Sequence, residues 1–121
     1  MDKVIKAINT RLLAEVGQAA HVFEVPEGTA LPYLCLSIPS EVPRYTWTSV
    51  RERMRIQIDV YAAGKIQALT LARLLKDAMD ECDMVVEGYE LLHFQREFSQ
   101  PLKDGDAWRV ITEYAVELQH S

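Results

Sequence analysis

The sequence holds only two cysteines, three histidines and five glycines among 121 residues, and each scarcity removes a class of chemistry. Cys35 and Cys82 lie far apart with no CxxC or CxxH neighbour, so neither a disulfide framework nor a zinc site is expected, and a reducing cytoplasm is the compartment that fits. Gly17, Gly28, Gly64, Gly88 and Gly105 each fall at a boundary between elements, which leaves none for a phosphate loop. GxGxxG, GxxxxGK[ST] and GxSxG are all missing. His21, His93 and His120 are scattered over a loop, a strand and the C-terminal tail, the pattern of solvent-facing or partly buried histidine rather than of a triad or metal cluster. No apolar run approaches the roughly 20 residues that cross a bilayer. The stretch from Met1 to Val16 is interrupted by Asp2, Lys3, Lys6 and Arg11, so neither a signal peptide nor a membrane span is expected. Basic residues are also in deficit, 13 against 18 acidic for a formal charge of -5. That balance argues against tight binding to nucleic acid, which needs a surplus of Lys and Arg on one face.

What is present is an ordinary globular balance, 49% hydrophobic and 26% charged. A second independent core would leave each half too small to bury enough apolar surface, so one domain over residues 1–121 is expected. Val4, Ile5, Ile8, Leu12 and Val16 recur at helical spacing and Gly17 follows as a stop. Residues 18–31 contain Pro26 and Gly28 and read as an irregular connection with a short extended piece at His21 to Phe23. Tyr33 to Ile38 reads as a strand ended by Pro39, followed by a loop or hairpin arm to Ser49. Met54, Ile56, Ile58, Val60 and Ala62 alternate with Arg53, Arg55, Gln57, Asp59 and Tyr61, the period of a strand with one buried face.

After Gly64, the residues Ala68, Leu71, Ala72, Leu75, Ala78, Met79 and Cys82 form one stripe of a second helix. A short strand at Met84 to Glu87, a strand at Leu91 to Phe98, a turn at Pro101 to Gly105 and a long strand carrying Trp108, Val110, Thr112, Tyr114, Val116 and Leu118 complete the chain. Two helices are too few, and the strands too hairpin-linked, for a doubly wound parallel sheet. The fold class expected is α+β, a mostly antiparallel sheet with both helices packed on one face.

No catalytic, cofactor or metal residues are assigned. Cys35, inside an apolar run, is a small core residue. Asp77, Asp80, Glu81 and Asp83 cluster at the end of the second helix, where negative charge opposes the helix dipole; they read as a solvated helix end, with a weak cation site as the functional alternative. Arg51, Arg53 and Arg55 share one face of a strand at intervals of about 7 Å, and Glu113 and Glu117 share one face of the last strand. One reading is cross-strand ion pairs on a solvated sheet face. The other is an interface with a second copy, carried by Arg44, Tyr45, Trp47, Arg51 and Arg53, because Arg, Tyr and Trp anchor interfaces.

The run ALPYLCLSIPSE, a polar arm, and then RMRIQIDVYAAGKIQALTLARLLKDAM resemble the small tail-completion proteins of long-tailed bacteriophages and prophages, over roughly Leu31 to Met79. The resemblance implies a tail terminator or head-to-tail joining protein, a homo-oligomeric ring at the head-proximal end of the tail tube. Its implied partners are further copies of itself, the tail tube and head-completion proteins, with DNA passing nearby without specific binding. It implies no enzyme activity and no cofactor, and a place in the host cytoplasm during assembly and in the virion tail afterwards. The rival from another class is a small-molecule-binding or regulatory α+β domain using the uncovered sheet face or a pocket between elements. A third is a small enzyme built from His93, Glu97 and Glu113. One fold hosts many functions, so architecture alone does not choose among them.

Overall fold

A computed structural model describes residues 2–45, 50–80 and 82–120. In chain order the elements are α1 (Asp2–Glu15), β1 (His21–Val22), β2 (Tyr33–Tyr45), β3 (Val50–Ala62), α2 (Lys65–Met79), β4 (Tyr89–Asp104) and β5 (Ala107–His120). The five strands form one sheet in the order β1-β2-β3-β5-β4. Only the β1–β2 pair is parallel; the others are antiparallel. This is the expected α+β architecture.

The helices form where the apolar spacing is three to four. Val4, Ile8 and Leu12 of α1 are fully buried, as are Leu75 and Met79 of α2, with Ala68, Ala72 and Ala78 beside them. All belong to the same core cluster as Met54, Ile56, Ile58, Val60 and Ala62 of β3 and Val110, Tyr114, Val116 and Leu118 of β5. Both helices therefore cover one face of the sheet, and alternate residues of the central strands face away from them. Gly17 closes α1 with φ of 93°, a left-handed conformation that a side chain resists. Asn9 then pins the departing chain through paired hydrogen bonds with the backbone N–H and carbonyl of Ala20, at 2.9 and 3.3 Å. Arg11 donates from Nε to the carbonyl of Ala78, which gives a carbonyl in the last turn of α2 a partner and ties the two helices together.

Three expectations change. β2 does not stop at Pro39 but continues through a bulge between Ser37 and Ser40 to Tyr45, with Pro43 opposite Glu52. β4 likewise runs past Phe98 through Pro101, which sits opposite Val110, to Asp104. Proline lacks an N–H and is excluded from the middle of a sheet, but all three prolines lie where a strand is at the edge: β4 ends the sheet, and β1 pairs with β2 only at Cys35 and Leu36. The turn shrinks to a two-residue hairpin loop, Gly105 and Asp106, with Gly105 at φ of 62°. Finally, Met84 to Glu87 is not a strand. Met84 and Val86 are buried while Val85 and Glu87 are exposed, so the alternation is real, but the segment has no ladder partner among the described residues.

Candidate functional site

The face of the sheet turned away from the helices carries most of the polar residues singled out in the sequence. At one end of it Tyr33 of β2 stacks on Tyr61 of β3, with ring centroids 4.9 Å apart, and His21 meets Tyr33 edge-on at 6.1 Å. Next to them Asp59 is only 5% exposed although no helix covers it. Arg109 of β5 donates from Nη2 to Asp59 at 2.6 Å, Gln57 donates to both carboxylate oxygens at 3.1 Å, and the Arg109 guanidinium lies 5.4 Å from the Tyr61 ring centre. Burial pulls the Arg109 pKa down, but the hydrogen bond and charge of Asp59 outweigh it and the net direction is up. A buried carboxylate held by a guanidinium and an amide satisfies the rule that buried charge must be paired. Arg109 Nε is also buried and has no hydrogen-bond partner among the described residues. Sequence alternation placed Asp59 on this face; the pairing depends on the β3–β5 register, which joins positions 50 residues apart.

Cys35, expected in the core, instead lies opposite Asp59 in the β2–β3 register and is half-buried, because the alternation of β2 puts it on the open face. Burial and the charge of Asp59 raise the Cys35 thiol, with Arg109 acting in the opposite direction. Burial also raises Cys82. A thiol raised in this way stays protonated at neutral pH and is a poor nucleophile.

Towards the other end of the face the charges are arginines. Arg55 reaches Glu113 at 4.0 Å, a cross-strand ion pair of the expected kind, and Arg53 lies opposite Glu117 in the β3–β5 register. Of the candidate interface residues, Arg44 lies opposite Arg51 and Tyr45 opposite Val50 in the β2–β3 register. Trp47 falls outside the described residues.

The remaining candidates do not converge. His93 lies opposite Glu117, four strand positions from Glu113, a separation of about 13 Å at the strand rise. Glu97 sits in the bulge between Arg96 and Phe98. At the end of α2, Asp80 accepts a 2.8 Å hydrogen bond from the fully buried Tyr114 and lies 3.5 Å from Arg96. Asp77 and Asp83 are exposed, and Glu81 is outside the described residues. Among the described residues no three His, Cys, Asp or Glu side chains are grouped to hold a metal ion.

Two grooves flank the helices. One, of about 410 Å³, lies between α1 and the segment around Met84, where Lys3, Lys6 and Arg11 are matched by Glu15, Asp83 and Glu87. Lys3 and Glu87 close part of it with a 2.9 Å ion pair between exposed side chains. The other, of about 320 Å³, lies between Cys82 and Asp83 and the start of β4. No described helix is long and apolar enough to cross a membrane.

Comparison with known proteins places this surface in context. Solved structures share the fold: 25 chains match. One is a chain from the virion of a native gene transfer agent particle, 19% identical, with a TM-score of 0.73 over 96% of this chain and 94% of its own. Another, 17% identical, has a TM-score of 0.64 over 99% of this chain and 96% of its own. No curated protein matches. The family described as tail completion protein gp17 matches residues 6–116. That span takes in most of α1, all of α2 and nearly all of the sheet, and the chain belongs to this family of structural proteins of the bacteriophage tail.

Proposed function

We propose that this tail-completion subunit acts as a non-enzymatic ring at the head-proximal end of the tail tube. There it joins the tail to head-completion proteins, and the hairpin arm from Arg44 to Val50 is one of its subunit contacts. The observation that carries this reading is the family match over nearly the whole chain. The virion origin of a structure with the same fold supports association with other tail and head proteins. Two physical features agree with it. Four arginines, Arg44, Arg51, Arg53 and Arg55, fall within the β2–β3 hairpin, and arginine is the charged residue that interfaces favour. The net charge of -5 suits a ring through which DNA passes without adhering, since a polyanion binds where cations are in surplus. Assembly in the host cytoplasm and later residence in the virion tail belong to the same reading.

The test is tail assembly in a phage or prophage lacking this gene. Wild type should restore joined tails of normal length, and a folded Trp47→Ala should not. If Trp47→Ala restores tails as well as wild type, the arm is not an essential contact; if wild type restores nothing, the assembly role itself fails.

A further inference from the structure

Directly after β1 the chain places Phe23 at φ of 65°, a left-handed conformation that a bulky side chain resists. Across it the N–H of Glu24 donates to the carbonyl of Val22 at 2.8 Å, which makes a γ-turn of the rare, strained kind. The Phe23 N–H donates to the carbonyl of Leu36 at 2.7 Å and holds the turn against β2. Phe23 is nevertheless 53% exposed, and Val22 before it is exposed as well. Glycine or asparagine would adopt this backbone at less cost, so the fold alone does not account for a phenylalanine here. Strain held in place at an exposed aromatic points to function. The same chain carries a receptor of matching character. The groove of about 410 Å³ is lined by Ala7 and Ala14 of α1 and by Met84 and Val85, a size and apolar character that suit a benzyl group. Val85 is 90% exposed, so this wall also presents an apolar side chain that the core does not use. The charges match too. Lys3 and Arg11 are engaged with Glu87 and the Ala78 carbonyl, whereas Lys6 makes no ion pair among the described residues. Glu15, also in the groove, lies about 13 Å from Lys6 along the helix, so the groove has a cationic end. On the Phe23 side no lysine or arginine occurs between Arg11 and Arg44, and Glu24 and Glu27 are exposed.

We infer that Phe23 of one copy of this chain inserts into the groove between α1 and Met84 of a second copy, with Glu24 meeting Lys6 at its rim. This contact rests on the ring reading and supplies the ring with two complementary surfaces. The surfaces differ, so the contact is heterologous, and every copy carries both halves of it. Repeating one rotation from copy to copy produces a ring, whereas a two-fold dimer would need a self-complementary patch. Their placement suits neighbours set side by side: Phe23 adjoins β1 at one edge of the sheet, and the Met84 wall of the groove leads through a turn into β4 at the other edge. An aromatic anchor in an apolar groove with a charged pair at its margin is the usual anatomy of a protein interface.

The experiment uses the same tail-assembly assay, with each variant also purified to record its thermal unfolding. Phe23→Asn and Val85→Glu should each lower the yield of joined tails about tenfold, the scale of losing one interface anchor. Phe23→Asn should keep or raise the unfolding midpoint, because asparagine accepts the left-handed backbone; a clear fall would assign Phe23 to the fold and overturn the proposal. Tails assembled from a chain carrying both Glu24→Cys and Lys6→Cys should give covalent multimers longer than a dimer on mild oxidation, which neither single change gives. If wild type restores tails and both Phe23→Asn and Val85→Glu do so equally, this contact is overturned and the ring reading stands. Absence of the multimers overturns the pairing of these two surfaces, and loss of tails in Phe23→Asn alone would then place Phe23 against a tail-tube or head protein. A wild type that restores nothing removes the ring reading itself. Should the cysteine pair restore no tails, the charge exchange Glu24→Lys with Lys6→Glu decides instead: the double must recover what each single change loses, and failure to do so overturns the contact.

Discussion

On the helix-covered side, β3 presents Met54, Ile56, Ile58, Val60 and Ala62, each at most 1% exposed. On the other side the same strand presents Arg53, Arg55, Gln57, Asp59 and Tyr61, whose contacts are ion pairs, hydrogen bonds and ring stacking. The first face is stabilised by removing apolar surface from water, at about 25 cal/mol per Å², and that effect does not depend on direction. The second depends on which residue lies opposite which, and where water remains its pairs contribute little. One strand thus serves as core on one side and as a selective surface on the other.

The largest expected effect lies on the covered face. Leu75 is fully buried in the cluster that also contains Ile58, and Leu75→Ala should lower unfolding free energy by about 2 to 5 kcal/mol. Urea titration measures this, and a loss under about 0.5 kcal/mol, the scale of surface changes, would falsify the helix placement. Second is Asp59, a strongly buried charge of the open face. Asp59→Ala leaves Arg109 without its carboxylate and should cost about 2 kcal/mol, below the range for a fully buried pair because part of the Arg109 side chain remains in water. A neutral result in the same titration would mean that the two faces differ less than the contacts indicate.

Third comes Tyr114, which reaches out of the core to Asp80. Tyr114→Phe removes one hydrogen bond to a charged group and should cost about 1 to 2 kcal/mol. Burial, then the hydrogen bond and charge of Asp80, hold the Tyr114 phenol well above its ordinary value. Above about pH 10 an unfolded tyrosine loses its proton while the folded one keeps it, so the unfolded state binds fewer protons and stability falls as pH rises. Tyr114→Phe should flatten part of that alkaline decline, and an unchanged slope between pH 9 and 11 would remove the link. The smallest effect is Arg55→Ala, which breaks an exposed pair with Glu113. It should cost less than about 0.5 kcal/mol and vanish in high salt; a larger, salt-insensitive loss would make this end of the open face a second structural centre.

Alternation and helical spacing revealed β3, β5, α1 and α2, because burial of a repeating stripe is written into neighbouring residues. Proline misled in both strands that contain it. Pro39 and Pro101 read as terminators, yet edge strands tolerate the missing donor, and whether a strand is at an edge is decided by the order of the whole sheet. Met84 to Glu87 misled in the opposite direction, since alternating burial records a covered side and not a hydrogen-bonded neighbour.

By itself the sequence determined the α+β class, the covered stripe of each main element, the absence of familiar catalytic motifs, and the arginine spacing on β3, all of which follow from periodicities of two and 3.6 residues. Only the tertiary structure decided that Asp59 would be buried against Arg109, that Arg44 would lie opposite Arg51, and that Arg55 would reach Glu113. Each of these depends on register. A shift of one residue moves every side chain of a strand to the opposite face, and register is set jointly by core packing, the bulges and turns of partner strands that lie tens of residues away.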